Sequence, residues 1–247
     1  ALVGNYTVIS WSLQNLIKTG TGNIGASVGN LVAEGDSKKT MKVFEELFSM
    51  RFLIAGVVCS CTYLLASPFI TLWLGGQYIL PQSTVFLIVA SMYLFITRTT
   101  VDDYINAKGL FQDIWAPIAE SIIYVSGSLL LGHFYGVNGV LLGGLISQLT
   151  IIFIWKPYFL FSAGLKESIF KYIWMYGKHL VAFACVYILS IVIINKIPLS
   201  PSDNILSFLI CGVIYFAVFV LLLYLSLYCI SGGMRVFTKR ILDIIIR

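Results

Sequence analysis

Long apolar segments constrain the fold of this chain more than any other feature of its sequence. A stretch of about 20 mostly apolar residues is needed to cross the hydrocarbon core of a bilayer. Only 11% of the residues are charged, against about 25% in soluble domains. The sequence therefore predicts an all-α, polytopic membrane protein with about seven transmembrane helices. The seven candidate spans are 4–33, 50–74, 83–105, 114–134, 139–161, 180–195 and 205–229.

The connections between these spans alternate in their content of lysine and arginine. Residues 34–51, 98–113, 156–179 and 230–247 are basic, whereas 75–82 and 132–138 contain neither residue and 196–204 contain only Lys196. Basic connections stay in the cytoplasm during membrane insertion. The alternation therefore predicts that Ala1 lies outside and that the carboxy terminus lies in the cytoplasm.

The same pattern divides the chain into four regions. Residues 1–161 are expected to form five spans, with a cytoplasmic connection at 34–49 in which Asp36-Ser37 caps a helix over 38–48. Residues 162–179 mix aromatic side chains with lysines, as an interfacial helix does. Two additional spans are expected within 180–229, followed by a basic cytoplasmic tail at 230–247. The tail is also expected to lie on the inner leaflet.

The first span carries a polar stripe. Its members recur every three or four residues and so share one helix face; they are Thr7, Ser10, Gln14, Lys18, Thr21 and Gly25. Lys18 lies near the middle of 4–33. Either the helix is buried in a bundle and Lys18 pairs with an acid, or the stripe lines a solvated cavity in which Lys18 attracts an anionic substrate. Because charges inside membranes usually mark function, we favour the cavity, with Gln14 and Thr21 beside Lys18.

Two further ionisable residues are predicted at hydrocarbon depth. Glu120 lies on the order of 9 Å into the fourth span. It is a candidate for coupling transport to H⁺ or Na⁺, or it forms an ion pair with Lys18 or Arg98. Arg98 lies about two turns inside the third span and either snorkels to the interface or contacts substrate in the cavity. Asp102 and Asp103 are expected at the water boundary, where Asp102 can pair with Arg98 one turn away.

Close helix contact is expected at two pairs of glycines that are four residues apart. Gly139 and Gly143 show this spacing in the fifth span, and Gly25 and Gly29 show it in the first. Small residues at this spacing let two helix backbones approach each other in a membrane. Both pairs are therefore predicted to pack against a neighbouring helix.

Several classes of function are disfavoured by what the sequence lacks. The five cysteines all lie within apolar segments, which predicts buried thiols and no disulfide framework. The predicted outer loops contain almost no acids, bases or metal ligands, which argues against a membrane-embedded glycosyltransferase, ligase or protease. There is no phosphate-binding glycine loop followed by Lys-Ser/Thr. We therefore expect no enzyme activity, no catalytic residue, no metal, no cofactor and no nucleic-acid partner.

Six sequence blocks together resemble a known family. In order and spacing they are similar to the region after the midpoint of bacterial Wzx-type polysaccharide (O-antigen) flippases, members of the multidrug/oligosaccharidyl-lipid/polysaccharide exporter superfamily. The resemblance extends over most of residues 1–165. The blocks are Val3–Ser10, Gly25–Asp36, Phe69–Gly75, Asn106–Phe111, Pro117–Glu120 and Gly136–Gly143.

This resemblance implies a MATE-like transporter with two lobes and 12–14 helices, of which this chain is the carboxy-terminal part. The absence of an initiator methionine at Ala1 fits that expectation. The implied function is to move undecaprenyl-pyrophosphate-linked oligosaccharide repeat units across the bacterial inner membrane by alternating access, for surface polysaccharide biosynthesis. The implied partners are this lipid-linked oligosaccharide, membrane lipids, the missing amino-terminal half and a polysaccharide polymerase complex. Lys18 would meet the pyrophosphate.

Two alternatives stay open from the sequence. A multidrug or cation antiporter of the same superfamily would share the fold, although a lysine in the cavity favours an anionic substrate. A non-transporting assembly or structural protein of the membrane would also have apolar spans. Such a protein would not need Lys18, so substitution of this lysine distinguishes it from a transporter.

Overall fold

A computed structural model describes residues 2–246, and this part of the chain consists of helices and their connections, with no strand. The predicted all-α class is confirmed, whereas the predictions for Ala1 and Arg247 lie outside the described residues. The nine α-helices of this part are α1 (Leu2–Gly20), α2 (Ile24–Ala33), α3 (Ser37–Trp73), α4 (Gln82–Ala107), α5 (Trp115–Ser147), α6 (Lys156–Phe159), α7 (Ile169–Ile194), α8 (Ile205–Ile230) and α9 (Gly232–Ile245).

Five helical segments are long and apolar enough to cross a membrane. This number comes from length and composition, and it agrees with a multi-pass membrane protein. From the end of α5 to Leu165 the chain stays helical, because two π-helical stretches, Gln148–Trp155 and Leu160–Leu165, flank α6. The five segments are Ser37–Trp73, Gln82–Ala107, Trp115–Leu165, Ile169–Ile194 and Ile205–Ile230.

The segment Trp115–Leu165 folds back on itself at Gly136, whose φ of +57° interrupts the helix. Its two arms, 115–135 and 137–165, correspond to the predicted spans 114–134 and 139–161. They lie against each other along their length, since the rings of Trp115 and Trp155 are 4.6 Å apart and Ser128 Oγ donates a 3.1 Å hydrogen bond to the Val140 carbonyl oxygen. We call this unit the helical hairpin.

The glycine pairs behave differently from each other. A Cβ added at Gly139 or Gly143 would lie less than 3.0 Å from backbone atoms of the opposite hairpin arm. The predicted close contact of this pair is therefore confirmed. The other pair fulfils the prediction in part: a Cβ on Gly25 would lie 3.5 Å from the Asp103 carboxylate of α4, whereas a Cβ on Gly29 would meet no atom of a neighbouring element within 4 Å.

The predicted first span, 4–33, is divided by a turn at residues 21–23 into α1 and α2. Neither helix is among the five that could cross a membrane. Lys18 consequently lies in the last turn of α1, and its predicted position in the middle of a span is wrong. Gly20 and Gly22 explain the break, since glycine disfavours helix by about 1 kcal/mol relative to alanine. A cation in the last turn is also favoured by the helix dipole.

Helix α3 begins where the sequence predicts. Asp36 is its N-cap and accepts hydrogen bonds from the backbone N–H groups of Lys38 and Lys39 at 2.9 and 3.0 Å. The helix then continues without interruption to Trp73, so the predicted helix over 38–48 and the predicted span 50–74 are one element. Of the predicted interfacial segment 162–179, residues 169–179 likewise form one helix, α7, with the next span, whereas 162–165 end the preceding π-helix and 166–168 are not helical.

The predicted basic connections come together at one end of the bundle, which we call the basic end. Contacts between distant segments establish this: Lys156 Nζ lies 2.9 Å from Asp102, Lys171 lies 3.5 Å from Glu45, and Arg240 lies 2.9 Å from Glu46. The carboxy-terminal helix α9 is part of this end. It packs on α3 through Met234, whose side chain is fully buried.

The opposite end is held by neutral hydrogen bonds. Tyr6 Oη donates to Ser67 Oγ at 3.2 Å and accepts from the Leu80 N–H at 3.3 Å. Asn138, next to the hairpin turn, bonds with Thr84 Oγ1 at 2.6 Å and Ser83 Oγ at 3.3 Å. These bonds fix the far ends of α1 and of the hairpin against α3 and α4.

Candidate functional site

A cleft of about 280 Å³ opens at the basic end, between α1, α3 and α4. We call it the ionic cleft. It contains all four side chains that the sequence predicts as cavity residues: Gln14, Lys18, Thr21 and Arg98. Its full lining is Gln14, Ile17, Lys18, Thr21, Gly22, Arg51, Phe95, Ile96, Arg98, Thr99, Asp102, Asp103 and Asn106.

Helix α1 supplies one wall of the cleft. Because Tyr6 is bonded to α3 and to the segment before α4 at the opposite end of the bundle, the last turns of α1 are held beside the other two helices. Gln14 Nε2 donates to the buried Ser10 Oγ at 2.9 Å, and Thr21 Oγ1 donates to the Ile17 carbonyl oxygen at 2.8 Å. The polar stripe therefore continues from the protein interior to the cleft.

An ion pair between α3 and α4 forms the floor. Arg51 Nη2 lies 2.6 Å from Asp103 Oδ2, and the Arg51 side chain is only 3% exposed. Arg51 Nη1 also donates to Thr100 Oγ1 at 3.4 Å, while its Nε–H has no hydrogen-bond partner. Asp103 is thus part of the cleft as well as close to the end of α4. Arg51 is a residue that the sequence analysis missed, because it was counted among the charges of a cytoplasmic connection.

Asp102 contacts a cation of its own helix and links α4 to the hairpin. Its Oδ2 lies 3.0 Å from Arg98 Nε, and its Oδ1 accepts a 2.9 Å hydrogen bond from Lys156 Nζ of the hairpin's second arm. The predicted pairing of Arg98 with Asp102 is confirmed. The Arg98 contact lacks hydrogen-bond geometry, so its attraction is chiefly electrostatic. The Arg98 guanidinium also lies 5.0 Å from the centre of the Phe95 ring, within the range of a cation–π interaction.

Some charged side chains of the cleft are ion-paired, whereas Lys18 is not ion-paired within the described residues. Both carboxylates of the cleft, Asp102 and Asp103, are paired with cations. The Lys18 side chain is exposed, and within residues 2–246 it has no acidic partner at ion-pair distance. The arrangement consequently offers an ammonium group to an anion, and it offers no unpaired carboxylate to a cation.

Glu120 lies elsewhere, half-buried in the first arm of the hairpin and outside the lining of the ionic cleft. The predicted ion pair of Glu120 with Lys18 or Arg98 is not formed, since Arg98 pairs with Asp102. Between Leu2 and Ile246, Glu120 has no basic partner at ion-pair distance. Its role in ion coupling stays a prediction.

The described part of the chain offers neither a metal site nor a disulfide. No group of three His, Cys, Asp or Glu side chains there is placed to hold a metal ion. The five cysteines are free thiols; their predicted burial is confirmed for Cys59 and Cys211 and is wrong for Cys185 and Cys229, which are exposed. The ionic cleft is therefore the site whose chemistry points most directly to a ligand.

Comparisons of this chain with protein-family models, with curated proteins and with solved structures find no match. Its function has to be inferred from the ionic cleft and from the arrangement of the apolar helices around it.

Proposed function

We propose that the chain is the carboxy-terminal part of a MATE-like, two-lobed transporter that moves lipid-linked oligosaccharides across the bacterial inner membrane. The carried substrate is an undecaprenyl-pyrophosphate-linked repeat unit destined for surface polysaccharide. The observation that carries this proposal is the engagement of charges in the ionic cleft. Lys18 has no acidic partner among the described residues, whereas both carboxylates are neutralised by other cations.

Such a cleft suits the pyrophosphate group. Lys18 provides a mobile point charge, while Arg51 and Arg98 provide planar guanidinium groups that match phosphate oxygens. Gln14 and Thr21 add neutral hydrogen-bonding groups on the same wall. A pyrophosphate that enters would pair with Lys18 first, because both arginines are already held by aspartates.

The position of the cleft fits loading from the cytoplasmic leaflet. The basic connections meet at the end of the bundle that contains the cleft, and the positive-inside rule assigns this end to the cytoplasm. In the proposed transporter about seven crossings of this chain form most of one lobe. The amino-terminal half closes the cavity from the other side, and alternating access moves the cleft's opening between leaflets. A polysaccharide polymerase complex would receive the product.

The alternatives make different demands on the same residues. A cation antiporter needs an available carboxylate in its cavity, and Asp102 and Asp103 are both occupied. Glu120 stays a candidate for H⁺ or Na⁺ coupling in either transporter. A structural or assembly protein needs no free cation in the cleft, so it would tolerate loss of the Lys18 charge.

The test compares two lysine-to-glutamine variants of the complete protein in cells that depend on it for surface polysaccharide. Lys18→Gln is expected to abolish polysaccharide display at an unchanged level of protein in the membrane. Lys38→Gln is the control, because Lys38 is exposed near the same end but lies outside the cleft. Normal polysaccharide display by a well-expressed Lys18→Gln protein would overturn the proposal, and loss of display in both variants would show that the cleft is not the cause.

A further inference from the structure

A second and larger cavity, of about 570 Å³, lies on another face of α4. Its lining from α4 includes Phe86, Val89 and Tyr93, whereas Arg98 and Asp102 face the ionic cleft. At 3.6 residues per turn these two sets lie on opposite sides of the helix. We call this cavity the lateral groove. Its lining extends from residue 86 to 94 on α4 and from 180 to 188 on α7. Eight residues of helix correspond to a length of about 12 Å.

The lateral groove opens sideways, between α7 and the second arm of the hairpin. These two walls touch near the basic end, where the rings of Phe153 and Tyr176 are 4.6 Å apart. Beyond that contact the rim consists of exposed apolar side chains, among them Leu149, Leu180 and Ile188. All four helical elements around the groove belong to segments that could cross a membrane. The groove therefore faces the hydrocarbon of the bilayer.

The chemistry of the lining excludes a charged ligand. No Asp, Glu, Lys, Arg or His side chain lines the lateral groove. An uncompensated charge at this depth would be strongly disfavoured. A ligand of the groove must consequently be neutral and mostly hydrocarbon.

Two hydroxyls of the lining nevertheless have no hydrogen-bond partner: Ser60 Oγ on α3 and Tyr93 Oη on α4. Ser60 is only 2% exposed, and its Oγ has no hydrogen-bond partner. Other hydroxyls of α3 bond back to their own helix: Thr62 to the Val58 carbonyl oxygen at 2.7 Å and Thr71 to the Ser67 carbonyl oxygen at 2.9 Å. A buried hydroxyl without a partner is unfavourable. Ser60 therefore retains the capacity for one hydrogen bond to an occupant of the groove.

We propose that the lateral groove binds a neutral lipid whose hydrocarbon body carries one uncharged oxygen, hydroxyl or carbonyl, hydrogen-bonded to Ser60. The hydrocarbon body packs against the apolar walls, and the oxygen satisfies Ser60 Oγ, one of the two hydroxyls of the lining that have no partner in the protein. The lipid enters from the bilayer between α7 and the hairpin. This inference goes beyond the proposed transport function and does not depend on it, since it requires only that these helices cross a membrane.

The test uses the complete protein in phospholipid nanodiscs and a long-chain alcohol that carries a photoreactive diazirine. Cross-links are expected on the floor peptides, 59–63 and 89–94, and excess unlabelled alcohol should displace the probe better than an alkane of equal length. Ser60→Ala should lower labelling by the alcohol roughly five-fold, the factor that corresponds to one hydrogen bond of ordinary net strength. The same substitution should not change how well the alkane competes with the probe, because the alkane makes no hydrogen bond.

A tryptophan placed at the rim separates the groove from general lipid contact. Ala184→Trp should fill the groove and remove the cross-links, whereas Ala217→Trp, at an exposed position of α8 outside the groove, should not. Thermal unfolding and size-exclusion profiles establish that both variants fold. Labelling that survives Ala184→Trp overturns the site, and labelling by the alcohol that is unaffected by Ser60→Ala overturns the hydrogen bond.

Discussion

The guanidinium of Arg51 and the carboxylate of Asp103 lie 2.6 Å apart and join α3 to α4 at the floor of the ionic cleft. Arg51 is almost completely buried, while Asp103 retains about a quarter of its exposure. A buried ion pair gains little over an apolar pair of the same volume, because both charges lose their hydration. Removal of one partner is a different matter, since it leaves the other charge uncompensated.

We therefore predict that either Asp103→Asn or Arg51→Gln lowers the free energy of unfolding by about 3 kcal/mol. The measurement is unfolding of the purified protein in detergent. A combined Arg51→Met and Asp103→Leu variant should recover most of the loss. The control is Lys39→Gln, which breaks the half-exposed pair of Lys39 with Glu34 and should change stability by less than about 1 kcal/mol. Equal effects of the buried and the exposed substitutions would contradict this account.

Asp102 should also contribute to stability, because its carboxylate neutralises two cations, one on α4 and one on the hairpin. Asp102→Asn leaves both Arg98 and Lys156 without their carboxylate, so the hairpin should be held less firmly to α4. We expect a loss of about 2 kcal/mol, the range of a hydrogen bond to a charged group. Asp113→Asn makes the same chemical change outside any ion pair of the described residues and should be nearly neutral. The measurement is the unfolding midpoint in detergent. An equal decrease for the two variants would refute the bridging role of Asp102.

The hairpin should be sensitive to single methyl groups. Alanine at Gly143 would place its Cβ less than 3.0 Å from the Ser128 backbone nitrogen, and alanine at Gly139 would approach the Leu131 carbonyl oxygen as closely. Backbone atoms cannot rotate away, so the arms must separate, and we predict a lower yield of folded protein and a lower unfolding temperature. Gly177→Ala is the matched control, because nothing lies within 4 Å of its added Cβ. It should be neutral or stabilise α7 by up to about 1 kcal/mol.

Much of the fold could be predicted because hydropathy reports how far a helix extends. Six of the predicted spans fall within helices of the structure, including the two hairpin arms on either side of Gly136. The predictions erred where helix continuity depends on local chemistry. The glycines around residues 20–22 end α1 early, and nothing between 48 and 50 interrupts α3. The apolar content rises sharply near residue 50, where α3 does not end, so a change in hydropathy alone does not locate the end of a helix.

The sequence could predict those residues of the candidate site that share one face of a single helix. The three or four residue spacing of Gln14, Lys18 and Thr21 placed them together, and the predicted depth of Arg98 in its span made it a candidate that the structure brings into the same cleft. Arg51 could not be identified this way, because its pairing with Asp103 depends on how α3 packs on α4. A sequence pattern shows which residues share a face, but it does not show which face of another helix lies opposite.

The carboxy-terminal helix α9 docks through a glycine that lies against the backbone of another helix, as the two arms of the hairpin do. Helix α9 lies across α3, with Met234 fully buried and Gly233 against the backbone of Glu45. At the start of α9, Ser231 Oγ lies 2.7 Å from Ser49 Oγ, which in turn lies 3.1 Å from His179 Nε2 of α7. This buried chain of polar contacts fastens the tail to two of the membrane-crossing segments.

The two adjacent glycines at the beginning of α9 allow this docking to be tested directly. A Cβ at Gly233 would lie less than 3.0 Å from the Glu45 carbonyl oxygen, whereas a Cβ at Gly232 would meet nothing within 4 Å. Both alanines raise the intrinsic helix propensity of α9 by a similar amount, up to about 1 kcal/mol. Gly233→Ala should nevertheless release the helix, with faster hydrogen exchange of its amides and faster tryptic cleavage at Arg235, and Gly232→Ala should slow both. If the two variants exchange at the same rate, α9 is not held by this contact, because only the space available to the added methyl group differs between them.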